Sequence, residues 1–101
     1  MTMETRDLKL DGNAIAGELV ELFGVEMTVA TGVCAGCGAV EQVARLDVYV
    51  RAPGIVVRCP HCEAVLMRIV RGRDRVWLDL RGVRSLEVTL PGPERPSGAT
   101  R

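Results

Sequence analysis

Two periods of apolar residues run through the chain, and they change over near Glu26. Before it, Ile15, Leu19, Leu22 and Phe23 recur at helical spacing, Asp11 or Asn13 offers an N-cap, and Gly24 stands where a helix C-terminus closes. The spacing predicts one short amphipathic helix ending at about Phe23, with Glu18 and Glu21 on its solvated side. After Glu26 the period becomes two. Leu46, Val48 and Val50 alternate with Arg45, Asp47, Tyr49 and Arg51, Ala52-Pro53-Gly54 reads as a turn, and Ile55-Val56-Val57-Arg58 returns as a strand. A second hairpin is predicted behind this one. Val65, Met67 and Ile69 are interleaved with Leu66, Arg68 and Val70, Gly72-Arg73-Asp74 offers a reversal, and Val76, Leu78 and Leu80 alternate with Trp77, Asp79 and Arg81. Gly82 breaks that strand, and Leu86, Val88 and Leu90, set between Glu87 and Thr89, predict one more before Pro91-Gly92-Pro93 ends the ordered part.

These elements predict an α+β fold, a short N-terminal helix followed by an antiparallel sheet of hairpins. With 101 residues there is material for one domain. The expected organisation is an N-terminal arm over residues 1–10, a single domain over 11–90 and a disordered tail over 91–101. Hydrophobic residues at 48% and charged residues at 26% exclude wholesale disorder and a fibrous repeat. One Phe, one Tyr and one Trp leave the core to Val, Leu and Ile, so a further source of stability is expected. Thirteen basic and thirteen acidic residues cancel, which removes the simplest case for a nucleic-acid binder. The charges are nevertheless separated: residues 1–44 carry a net −5 and residues 45–84 a net +5. No apolar stretch has the length of a signal peptide or a membrane span, so the expected location is the cytoplasm.

Cys34-Ala35-Gly36-Cys37-Gly38 and Cys59-Pro60-His61-Cys62 have the spacing C-x2-C, twenty-one residues, C-x2-C. Two residues between cysteines let a tight turn aim both sulfurs at one point, and Gly38 allows the positive φ that such a turn needs. In a reducing compartment four such cysteines are metal ligands rather than two disulfides. Four soft thiolates suit Zn²⁺, with iron as the competitor. The metal ligands predicted are therefore Cys34, Cys37, Cys59 and Cys62, holding one structural zinc ion. A closed four-sulfur site leaves no position for water or substrate. Cys-Pro-His-Cys is also the active-site tetrapeptide of oxidising thioredoxin-fold proteins, but that fold needs a βαβ setting, and three β-branched positions between residues 64 and 70 speak against a helix there. His61, flanked by two ligands, is expected to point outward.

Beyond the cysteines the chain holds one His, no H-E-x-x-H pair and no glycine-rich phosphate loop behind a strand, and an enzyme is not expected. The two knuckles resemble those of the zinc-ribbon group, with the first lacking the usual Pro and the second carrying Glu63 where a Gly is usual. More narrowly, Leu10-Asp11-Gly12-Asn13-Ala14, the stretch from Gly32 to Gly38, Tyr49-Val50-Arg51-Ala52-Pro53-Gly54, Arg58-Cys59-Pro60 and Trp77-Leu78-Asp79-Leu80-Arg81-Gly82 resemble a small uncharacterised actinobacterial family of zinc-ribbon-like proteins. The resemblance spans roughly residues 8–82 and implies the ligands and the fold, with no activity attached.

Two partner classes follow from the residues. Tyr49 and Trp77 alternate out of phase with the apolar residues of their strands, so each projects away from the core and offers an anchor for a protein partner. The contrary expectation for Trp77 is packing against the N-terminal helix. The alternative partner is nucleic acid, held by Arg45, Arg51, Arg58, Arg68, Arg71, Arg73, Arg75, Arg81 and Arg84, with Arg71, Arg73 and Arg75 at a hairpin tip. A third reading, oxidation of the cysteines with loss of zinc, attaches to any four-cysteine site.

Overall fold

The computed structural model describes residues 9–51 and 54–90; the predicted tail 91–101, most of the predicted arm and two residues of the Ala52-Pro53-Gly54 turn lie outside them. The first described strand is β1 (Leu10–Asp11), so Leu10 joins the sheet. A 3-10 turn over Gly12–Ile15 follows, with the Asp11 side chain accepting a hydrogen bond from the Asn13 N–H as the cap. The helix α1 (Ala16–Phe23) continues it and ends at Gly24, φ 77°, whose N–H donates to the Val20 carbonyl. The predicted helix is thus present, with its first turn wound tighter.

Strands β4 (Asp47–Arg51), β5 (Gly54–Arg58), β6 (Val65–Arg71) and β7 (Val76–Asp79) follow the alternation read from the sequence. The two predicted hairpins, β4-β5 and β6-β7, join through the β5-β6 pairing into one continuous antiparallel meander, in a five-stranded sheet of order β1-β4-β5-β6-β7. Cross-strand partners share a face. On one face Val48, Val57 and Met67 form one row and Val50, Ile55, Ile69 and Leu78 the next. Ile15 and Leu19 of the N-terminal segment join Val48, Val57, Met67, Ile55 and Ile69 in a single core, where full burial of such a side chain contributes about 1.5–3 kcal/mol, while Val50 and Leu78 stay exposed.

The sequence pattern did not predict a second sheet. Strands β2 (Thr31–Cys34), β3 (Val40–Gln42) and β8 (Val83–Glu87) pair antiparallel in the order β3-β2-β8. The last predicted strand accordingly starts and stops earlier than Leu86 to Leu90. Its partner β2 is only four residues long, and pairing ends at Thr31 opposite Glu87.

The two sheets meet over an apolar seam that includes Val33, Cys34, Leu46, Cys59, Leu66 and Leu86. Gly82 stitches it together: its carbonyl accepts the Ala35 N–H at 2.8 Å and its N–H donates to the Leu66 carbonyl at 3.1 Å. A methyl group at this position would overlap the Val65 carbonyl oxygen. The contact therefore requires a residue without a Cβ.

Candidate metal centre

Each cysteine pair sits in a turn between two strands. Cys34 ends β2 and Cys37 lies in the connection to β3; Cys59 and Cys62 lie between β5 and β6. The two turns are built bond for bond alike. Cys34 N–H donates to the Ala39 carbonyl and Cys59 N–H to the Ala64 carbonyl, both at 2.9 Å. The Cys34 carbonyl accepts from Gly38 N–H and the Cys59 carbonyl from Glu63 N–H. The N–H groups of Gly36 and His61 point at the Sγ atoms of Cys34 and Cys59, at 3.3 and 3.4 Å. Such donors stabilise a thiolate, which is the form that ligates a metal.

The four Sγ atoms all lie within 4.8 Å of one another, so the structure brings together every predicted ligand. The Cys34–Cys62 and Cys37–Cys59 sulfurs are each 3.7 Å apart. That is far beyond the roughly 2.05 Å of a disulfide. It matches the edge of about 3.8 Å in a tetrahedron whose centre is about 2.3 Å from each sulfur, the Zn–S bond length. The donor set and its spacing fit a tetrahedral thiophilic ion.

Cys34 and Cys59 are buried, while Cys37 and Cys62 are exposed. A hydrogen bond from the Cys37 backbone draws the Cys34 thiol down to about 7, against its burial. The Ala64 N–H favours the Cys62 thiolate, but burial and the three neighbouring thiols push Cys62 up to about 12. Cys37 is raised too: the Ala39 N–H favours its thiolate, but burial and the Cys59 and Cys34 thiols outweigh this. Cys34 therefore ionises more readily than Cys37 and Cys62, because thiolates so close repel one another.

His61 is turned outward, as the sequence predicts, and its Nε2 lies 2.9 Å from Glu41 Oε2 on β3. This contact links one knuckle to the strand that follows the other. No local window contains it, since the two residues are twenty apart, one in a turn and the other on β3. Trp77 does not pack against α1; it is 56% exposed and lies over Gly72 at the β6–β7 turn. At that hairpin tip Arg71 donates to Glu21 at 2.6 Å and Arg75 to Asp74 at 3.1 Å, so two of the three tip arginines are engaged within the chain. Among the described residues no helix is long and apolar enough to cross a membrane.

A helix packed on an antiparallel meander, with two matched thiol knuckles at the seam of two sheets, defines a small α+β protein with a four-cysteine centre able to bind a metal. The chain belongs to the family of unknown function DUF6510, whose profile matches residues 3–91. No curated protein and no solved structure matches it.

Proposed function

We propose that the chain is a zinc-dependent interaction module, in which a structural Zn²⁺ held by Cys34, Cys37, Cys59 and Cys62 locks two sheets together and one sheet face engages a partner in the cytoplasm. The observation that carries the metal is the pair of 3.7 Å sulfur separations, one on each diagonal link between the knuckles. Zinc supplies Lewis acidity only where a coordination position is open, and four protein sulfurs fill a tetrahedral ion's shell, so its role here is structural. Binding free energies of about 10–16 kcal/mol in zinc-finger peptides match or exceed the roughly 5–15 kcal/mol that holds an ordinary domain together. That reserve suits a chain with three aromatic residues. The support for an interaction role is the exposed Trp77, a residue type enriched among binding anchors.

Native mass spectrometry at neutral pH tests the reading directly. One zinc per chain, lost on chelation together with the native charge-state distribution, is the expected result. A metal-free chain that keeps its folded distribution would overturn it.

A further inference from the structure

The five-stranded sheet has a second face, opposite to the one that carries Val48, Val57 and Ile69. Tyr49, Val56, Arg68 and Asp79 are successive cross-strand partners there, and Arg51, Gly54, Val70 and Trp77 form the adjoining row. Asp47 and Arg58 extend it toward the second knuckle. The floor is apolar at Val56 and Val70, the two rings stand on different strands, and three arginines lie on three adjacent strands. Beside Tyr49, Arg51, Val56 and Arg58 the surface sinks into an open depression of about 520 Å³.

The charges on this face are unequally satisfied. Asp79 is taken by Arg81, which donates to both of its oxygens at 2.7 and 3.2 Å, and Asp47 lies 4.0 Å from Lys9. Among the described residues Arg51, Arg58 and Arg68 have no carboxylate within ion-pair distance. Arg58, among the described residues, donates only to the Glu63 carbonyl. Among the described residues Asp47 and Asp79 thus have cationic partners and Glu63, which also lines the depression, has none, while the three guanidinium groups of Arg51, Arg58 and Arg68, beside apolar and aromatic side chains, outnumber that one free acid. Guanidinium forks match carboxylates, and Trp, Tyr and Arg are the residues that dominate binding energy at protein interfaces.

We propose that this outer face docks an acidic, extended segment of a partner protein, whose carboxylates meet Arg51, Arg58 and Arg68 and whose apolar side chains lie on Val56 and Val70 between Tyr49 and Trp77. This rests on the interaction-module reading and adds the face and the chemistry of its occupant. Alternating acidic and apolar side chains in such a segment would match the alternation of arginine and valine on the floor. Glu21 of α1 does not oppose it, since it is bound to Arg71, which shares the Val76 row of the core face.

The test is selection of a random displayed-peptide library on the zinc-loaded full chain, with oligo-deoxythymidine assayed in parallel. Enriched peptides should alternate Asp or Glu with apolar residues, and their amide-shift footprint should fall on β4 to β7. Arg51→Glu should weaken a selected peptide by about tenfold, and a peptide with one acid changed to Lys should recover part of that loss. Zinc content and the circular dichroism of the variant report that it still folds. Selected peptides without acidic bias, a footprint on β2, β3 and β8, or binding of the oligonucleotide in place of any peptide would overturn the proposal. If the chain carries zinc yet selects no acidic peptide, only the docking face fails; if it carries none and stays folded, the metal-module reading fails first.

Discussion

Gly38 and Glu63 occupy the same position in the two knuckles, each four residues after a buried cysteine and each with a positive φ, 77° and 68°. Each donates its N–H to that cysteine's carbonyl. Glycine adopts this conformation freely, whereas a residue with a Cβ is strained there by about 1–2 kcal/mol. Glu63→Gly should therefore stabilise the protein by about 0.5–1 kcal/mol after the added flexibility of the unfolded chain is subtracted. A rise of about 4 °C in Tm is the expected reading, and a fall would show that the Glu63 side chain contributes more than its backbone strain costs.

Gly82→Ala should act in the opposite sense. The new methyl group meets the Val65 carbonyl and the Leu66 backbone, neither of which is the movable end of a side chain. Separating the sheets enough to admit it should cost about 3 kcal/mol, at the upper end of ordinary overpacking. Denaturant unfolding measures the loss, and a change below about 1 kcal/mol would show that the seam adapts without strain.

Metal uptake should release protons. Cys37 and Cys62 are held above the ordinary thiol range, and Cys34, at about 7, is near half-protonated in neutral solution. More than two protons per zinc ion are expected at pH 7, measured by calorimetry in buffers of different ionisation heat, with affinity falling as the pH is lowered. Release of two or fewer would mean that the apo thiols are more ionised than their surroundings imply.

Asp79 gives a pH effect independent of the metal. The Arg81 side chain, helped by the Arg81 backbone N–H, holds its carboxyl down to about 2. Because the folded value lies below the ordinary one of about 3.9, the stabilisation is present above that ordinary value and is lost as the pH falls toward 2. A carboxyl NMR titration should find the low midpoint, and Arg81→Ala should return it toward the ordinary value. An unchanged midpoint in that variant would assign the effect to other charges, Arg68 first.

Trp77 fluorescence checks the outer sheet face. The indole is more than half exposed, so its emission should be that of a wet ring and readily quenched by iodide. Emission typical of a buried indole would contradict the placement.

The meander was legible because β4 to β7 alternate in sequence over four to seven residues and β4, β5 and β6 bury apolar residues of one face, which is the signal that period-two patterning carries. The knuckles were legible from cysteine spacing alone, down to the positive φ of Gly38. The second sheet was not. Thr31-Gly32-Val33 and Val40-Glu41-Gln42 are too short to show a period, and β3 buries none of its three residues fully. What makes them strands is mutual pairing and the distant β8, information that no local window contains. That the four sulfurs meet was legible from the cysteine spacing, but their route was not: β4 and β5 do run back along each other, while Cys34 ends a strand of the other sheet and reaches Cys59 and Cys62 across the Gly82 seam. Glu63 shows a local preference overruled, since a non-glycine residue accepts the left-handed turn that the knuckle imposes.

The pairing of Thr31 with Glu87 also orders events during synthesis. All four thiols precede β8 in the chain, so the strand that lies beside Cys34 is made after the whole donor set. An ion captured at that stage would hold the first knuckle against the second while one flank of β2 is still bare. The late strand then threads onto a template already drawn together, and the long loop it must close is shortened before it arrives.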